Sequence, residues 1–248
     1  MITATAVESI PALVRPETVE LAATSNKRML DLLSSLDDEE WGKPTDCSLW
    51  DVRALASHVL GGMEAFSAHR EFMRQMRAGA KAAGGGEFVD GLTSVQVREY
   101  AGLTHREVLA RMAAAGPRSA QWRGRRRFMR SIPMANSVGG VKEKWRGGYL
   151  FDVILTRDTW MHRVDIARAT GRPVVLTPDH DGRIVADVVA EWARRHGQPF
   201  TLHLDGPVGG MFAAGSGGED ITIDAVEFCR ILSGRAIGAG LLTTEVPF

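Results

Sequence analysis

The chain has 248 residues, 44% of them apolar and 24% charged, enough for one large domain or two small ones. Its formal net charge is zero, which gives no electrostatic ground for nucleic acid or an anionic membrane as partner. No run approaches the roughly 18 apolar residues of a spanning helix, and the N-terminal MITATAVESIPALVRPE lacks the basic start and apolar centre of a secretory signal.

Four long helical patterns are predicted in the first 170 residues. The first starts after Pro16, a good first-turn residue, and carries Val19, Met29, Leu32, Leu33 and Leu36. The second opens on Ser48-Leu49-Trp50-Asp51, which resembles a capping box with Asp in place of Glu. Val52, Leu55, Ala56, Val59, Met63 and Phe66 follow it at helical spacing. Residues 79–91 read as a loop because glycine is too frequent there for a helix interior. A third pattern runs from Thr93 to Ala115, either as one kinked helix or as two, since Gly102 lies inside it and Thr104 to Glu107 offers a second capping box. Residues 116–146 read as a long connection without periodicity. The fourth helix spans Tyr149 to Thr170, with Gly171 suited to its end.

The pattern changes near Pro173. Val174 to Leu176 reads as a short strand, Thr177-Pro178 starts a helix that ends at His196-Gly197, and Phe200–Leu204 pairs with Met211–Ala214 as a hairpin. Ile221 to Ile223 is another strand, and Asp224 caps a helix reaching Leu232. The fold class is therefore α+β: a four-helix bundle over residues 1–172, then a small mixed α/β domain over 173–248.

The chemistry gathers on the fourth helix. Asp158 and His162 are four apart, one turn from each other on one face. They share a stripe with Phe151, Ile154, Met161, Asp165 and Ala169, so two carboxylates and an imidazole interrupt an apolar face. Burying charge there needs compensation, which a metal ion or an ion pair supplies. His58, at the edge of the apolar arc of the second helix, is the candidate third ligand, because bundles build metal sites from facing helices. Two histidines and one carboxylate leave coordination positions open, as catalytic sites do. Asp165 either accepts from a ligand histidine or pairs with Arg163 or Arg168 at the surface.

These segments resemble a known family. LWDVRALASHVLGGMEAF resembles the second helix of DinB-like bundles, and RDTWMHRVDIARATGRP the fourth helix of the mycothiol-dependent maleylpyruvate isomerase family. The segment from Pro173 to Phe248 resembles that family's smaller, sterol-carrier-like domain. The resemblance implies a divalent metal, zinc first and other transition metals after it, on His58, Asp158 and His162. Many family members have Glu where this chain has Asp158. It also implies a basic residue from the C-terminal domain at the site, matched best by Arg235 and next by Arg230. The implied activity is thiol-dependent isomerisation or S-transfer on a small electrophile, with mycothiol as the thiol cofactor. A hydrolase without thiol and a non-catalytic binding or regulatory protein are the alternatives. No nucleic-acid or membrane partner is expected, and the chain is expected to be a monomer or homodimer.

Three features are set aside. The run Arg123 to Arg130 has five arginines in eight residues and reads as a solvated loop rather than a nucleic-acid patch. Cys47 and Cys229 sit in no CxxC pair, which suits a reducing, cytoplasmic setting. Cys47 precedes the second helix by a distance that places it about 16 Å from His58 if the helical rise extends back to it, too far to share its metal. His69, His105, His180, His196 and His203 are not assigned to the metal.

Overall fold

A computed structural model describes residues 4–125, 128–138 and 140–248. In chain order its elements are β1 (Thr5–Ala6), α1 (Arg15–Ser34), α2 (Val52–Ala65), α3 (His69–Ala83), α4 (Phe88–Tyr100), α5 (His105–Arg125), β2 (Pro133–Val138) and β3 (Val141–Arg146). A short α6 (Gly147–Tyr149) passes through a π-helical turn, Leu150–Ile154, into α7 (Leu155–Thr170). Then come α8 (Arg183–His196), β4 (Phe200–Asp205), β5 (Gly210–Ala214), β6 (Glu219–Asp224) and α9 (Ala225–Leu232). The class is α+β, as expected. No helix among the described residues is long and apolar enough to cross a membrane.

The chain forms two compact units. One is Arg15–Ser131 with Asp158–Val174; the other is Met1–Val14, Ile132–Arg157 and Val175–Phe248. A single cut at residue 172 therefore misplaces two segments. The physical reason is pairing: β1 lies parallel to β5, and Arg195 on α8 holds Glu143 of β3 at 2.7 Å.

In the helical unit one apolar cluster joins Met29 and Leu33 of α1, Val52, Leu55, Val59 and Met63 of α2, Val108 and Met112 of α5, and Ile166 of α7. These are the four expected helical patterns. The structure adds helix α3 and carries α3 and α4 into residues 79–83 and 88–91, where the sequence reads as a loop. Gly79 and Gly91 lie inside those helices because the two backbones nearly touch: a Cβ on Gly91 would collide with the Gly79 carbonyl and the Ala83 backbone nitrogen. Close approach outweighs the helix propensity lost, about 1 kcal/mol per glycine. The third pattern resolves into two helices, α4 and α5. Helix α5 runs on to Arg125 with Pro117 inside it, so the expected connection over 116–146 is helix followed by the β2–β3 hairpin. Of the arginine run, Arg123 is buried on α5 rather than solvated, while Arg126 and Arg127 lie outside the described residues.

In the other unit the sheet order is β1-β5-β4-β6, with β4 antiparallel to β5 and parallel to β6. Phe200, Leu202 and Leu204 alternate inward, and Asp224 caps α9 through the Val226 and Glu227 N–H groups. Val174–Leu176 is not a strand. The Trp192 ring packs edge-on against Phe200 at 4.7 Å and Phe228 at 5.3 Å. Arg157 is buried, and its guanidinium meets Asp187 at 2.5 Å and Glu191 at 2.8 Å on α8, the pairing that a buried charge requires.

Two predictions follow from this packing. Gly91→Ala should destabilise the chain by about 1–3 kcal/mol, because a backbone clash cannot be relieved by a rotamer change and exceeds the roughly 1 kcal/mol propensity gain; urea unfolding that showed no loss would contradict the close crossing. Arg172 grips the Glu40 carboxylate through Nε and Nη2, at 2.9 and 2.7 Å. That grip, with the Asp37 N–H, lowers the Glu40 pKa to about 2. A lowered folded-state pKa gives stability that is present above the ordinary carboxylate value and lost as pH falls towards 2. Arg172→Ala should therefore flatten the stability–pH curve between about pH 4.5 and 2, measured by denaturant titration at each pH.

Candidate metal centre

The site is built within the helical unit from α2 and α7. Helix α2 is started by Asp51 itself, whose carboxylate accepts from the Ala54 N–H at 2.8 Å. The expected box with Ser48 as cap is thus shifted by three residues. From that start Leu55, Ala56, Val59 and Leu60 turn into the core, which leaves His58 on the flank with 12% of its side chain exposed. Helix α7 is buried on more sides than one stripe: Trp160, Met161, Val164 and Ile166 are all covered, together with His162 and Asp165.

The three residues predicted from sequence come together. His58 Nε2 lies 3.5 Å and His162 Nε2 3.3 Å from the same oxygen, Asp158 Oδ1. The three donor atoms lie within 4.8 Å of one another. Bonds of about 2.0–2.1 Å at tetrahedral angles would set donors about 3.3 Å apart, so the spacing fits a divalent cation such as zinc. The rings stand edge to face, with centroids 5.2 Å apart, and Trp50 packs against both, at 5.1 Å from His58 and 6.2 Å from His162.

The outer nitrogens are also held. His162 Nδ1 lies 3.0 Å from Asp165 Oδ2, and His58 Nδ1 lies 2.8 Å from Gln96 Oε1 on α4. An acceptor on Nδ1 keeps the proton there and leaves the Nε2 lone pair free for a metal, the usual outer support of a ligand histidine. Asp165 is fully buried, so of its two sequence readings the geometry is that of the acceptor; Arg168 instead meets Asp46 at 3.2 Å.

Burial opposes charge on both Asp158 and His162. The facing imidazoles nevertheless hold the Asp158 carboxyl well below the usual carboxylate range. The Asp158 charge, helped by the hydrogen bonds the ring makes with Asp158, Asp165 and Cys47, raises His162 well above the ordinary imidazole value. An ionised carboxylate is the form that ligates metal.

Cys47 is closer than the sequence suggests. Its Sγ lies 4.0 Å from His162 Nδ1 and donates to Asp165 Oδ2 at 3.5 Å. The helical rise does not apply, because residues 47–50 form a turn in which the Trp50 N–H reaches the Cys47 carbonyl. Cys47, His162 and Asp165 make a second close group on the outer side of the His162 ring. Gln96 and Trp50 were also not singled out from sequence; a Gln beside the buried Val95 on α4 was the only trace of the former. None of the five histidines set aside joins either group. Arg235 belongs to the other unit, just past α9, where its N–H meets the Arg230 carbonyl; Arg230 is buried and pairs with Glu227 at 2.6 Å.

The model of the mycothiol maleylpyruvate isomerase N-terminal domain matches residues 22–167, more than half of the chain. The chain belongs to the mycothiol maleylpyruvate isomerase family. This is a family of enzymes, and the matched span contains His58, Asp158 and His162 together with Cys47, Gln96 and Asp165. No curated protein sequence matches the chain. Two solved structures share its fold. The crystal structure of a mycothiol-dependent maleylpyruvate isomerase is 19% identical, with a TM-score of 0.56 over 98% of both chains. A histidine-to-alanine variant of a mycothiol-dependent maleylpyruvate isomerase is 17% identical, with a TM-score of 0.56 over 94% of this chain and 92% of its own. The α+β architecture is thus that of the isomerase family across nearly the whole length.

Proposed function

We propose that the protein is a metal-dependent isomerase or S-transferase that uses a small-molecule thiol, mycothiol by family membership, on a small electrophilic substrate. The observation that carries this reading is the convergence of two imidazole Nε2 atoms on one carboxylate oxygen, at 3.3 and 3.5 Å, with both outer nitrogens held by acceptors. His58, Asp158 and His162 would hold the cation. A divalent cation with open positions lowers the pKa of a bound thiol and so supplies a thiolate at neutral pH.

The residues of the chain have separate tasks in this reading. Gln96 and Asp165 keep the ligand rings aimed. Asp158 stays ionised because the imidazoles face it. Trp50 covers the two rings and limits water on that side. Arg235 takes a substrate carboxylate by resemblance to the family, a role suited to a guanidinium fork.

Metal analysis of protein purified from a zinc-supplemented host should find about one equivalent, and His162→Ala should lose it. Mycothiol should raise the melting temperature of the metal-loaded protein more than glutathione or cysteine does. Wild-type protein without metal would overturn the metal reading; metal with no thiol preference would favour a hydrolase. Arg235→Ala should raise KM for a carboxylate substrate while leaving metal content unchanged, as loss of a binding contact does. An unchanged KM would remove Arg235 from the site.

A further inference from the structure

A chain of buried amides runs outward from His58. Gln96 on α4 and Gln75 on α3 are both buried. Gln96 Nε2 donates to Gln75 Oε1 at 3.0 Å. Gln75 Nε2 in turn donates to the Gly61 carbonyl at 3.0 Å and to Glu71 Oε1 at 2.9 Å. Arg74 donates to both oxygens of Glu71, to Oε1 at 2.7 Å and to Oε2 at 2.9 Å. Each link has a fixed sense. A backbone carbonyl and an ionised carboxylate only accept, so the Gln75 group facing them must be its NH₂. Its oxygen then faces Gln96, which must present its own NH₂ there. That leaves the Gln96 oxygen for His58 Nδ1, 2.8 Å away, and an oxygen without hydrogens can only accept.

We infer that Gln75 and Gln96 are positioning residues that set the tautomer of His58, with the proton on Nδ1 and the lone pair of Nε2 turned to Asp158. A free imidazole side chain prefers the opposite tautomer, which would place a hydrogen where the metal must bind. Gly61, one turn after His58 on α2, is part of the device in two ways. Its carbonyl anchors Gln75, and its missing side chain admits Gln96, since a Cβ there would lie 2.6 Å from Gln96 Cγ. The glycine is thus needed by the amide chain and by no turn.

This inference rests on the metal reading of the site, and its test separates the two. The ¹⁵N spectrum of the His58 ring is recorded in metal-free protein with the ring neutral, and zinc affinity is measured by chelator competition. Wild type should show the Nδ1–H form. Gln96→Leu should move His58 towards Nε2–H and weaken zinc binding about 10- to 100-fold, the usual cost of losing an outer partner. Gln96→Glu keeps an acceptor at Nδ1 and should retain the wild-type tautomer. Gly61→Ala should reproduce the Gln96→Leu spectrum without removing any polar group. A purely structural role would lower the melting temperature and leave the tautomer alone. Should Gln96→Leu fail to fold, Gln75→Leu carries the same two measurements. An unchanged tautomer with zinc affinity within about twofold of wild type overturns the inference while the metal site stands. A shifted tautomer in a protein that binds no zinc sustains the amide chain and overturns the metal reading instead.

Discussion

A neutral imidazole offers one lone pair, and it must face inward if a histidine is to serve as a ligand. The site described here answers that constraint twice. Both Nε2 atoms meet Asp158 Oδ1, and both Nδ1 atoms meet an acceptor behind them. The two supports are of different kinds. Behind His162 stands a buried carboxylate, Asp165, which also takes the Cys47 thiol. Behind His58 stands a neutral amide, Gln96. A carboxylate raises the basicity of its ring more than an amide does, so the two ligands are held alike but are not electronically equal. Without a cation, the charge of Asp158 is met by a proton on His162, whose pKa that carboxylate raises. Proton and metal therefore compete for one space, which ties metal affinity to pH.

Much of this was legible in the sequence because it was local. Asp158 and His162 are one helical turn apart on a segment whose other members are apolar, and such polar interruptions stand out on a helical projection. His58 at the edge of an apolar arc was legible for the same reason. The class, the α8 boundary, the β4–β5 hairpin and the Asp224 cap came from equally local signals.

What escaped was set by tertiary contact. Glycine at 79 and 91 reads as loop because its cost in a helix is intrinsic, while its benefit, the approach of α3 to α4, exists only after folding. The β2–β3 hairpin carries exposed lysines and a tryptophan without clean alternation, so period-two reasoning had little to find. Val174–Leu176 shows the reverse error, a β-branched run that is not assigned to a strand. Cys47 was misplaced by extending a helix backwards through a turn. Gln75 was invisible for a stricter reason: α3 is rich in charge, and one more polar residue there predicts exposure, whereas the amide is fully buried by partners from two other helices.

The choice of Asp at position 158 can be argued from reach. A carboxylate on a shorter stem lies closer to its own helix, so the partner from α2 must come further in to share its oxygen. Here it does: the His58 distance exceeds the His162 distance by only 0.2 Å, from 3.5 and 3.3 Å. Both values fall near the separation that bonds of about 2.0–2.1 Å impose at tetrahedral angles. A longer Glu would have to fold back on itself to occupy the same point, or else push the cation towards solvent. The shorter side chain is thus matched to a close approach of α2, and that approach is itself held by packing. Leu55 and Val59 flank His58 in the core of the bundle, with Ile166 of α7 in the same apolar cluster. The spacing of the donors is in this sense a property of the hydrophobic core, and the chemistry at the site inherits its rigidity from there.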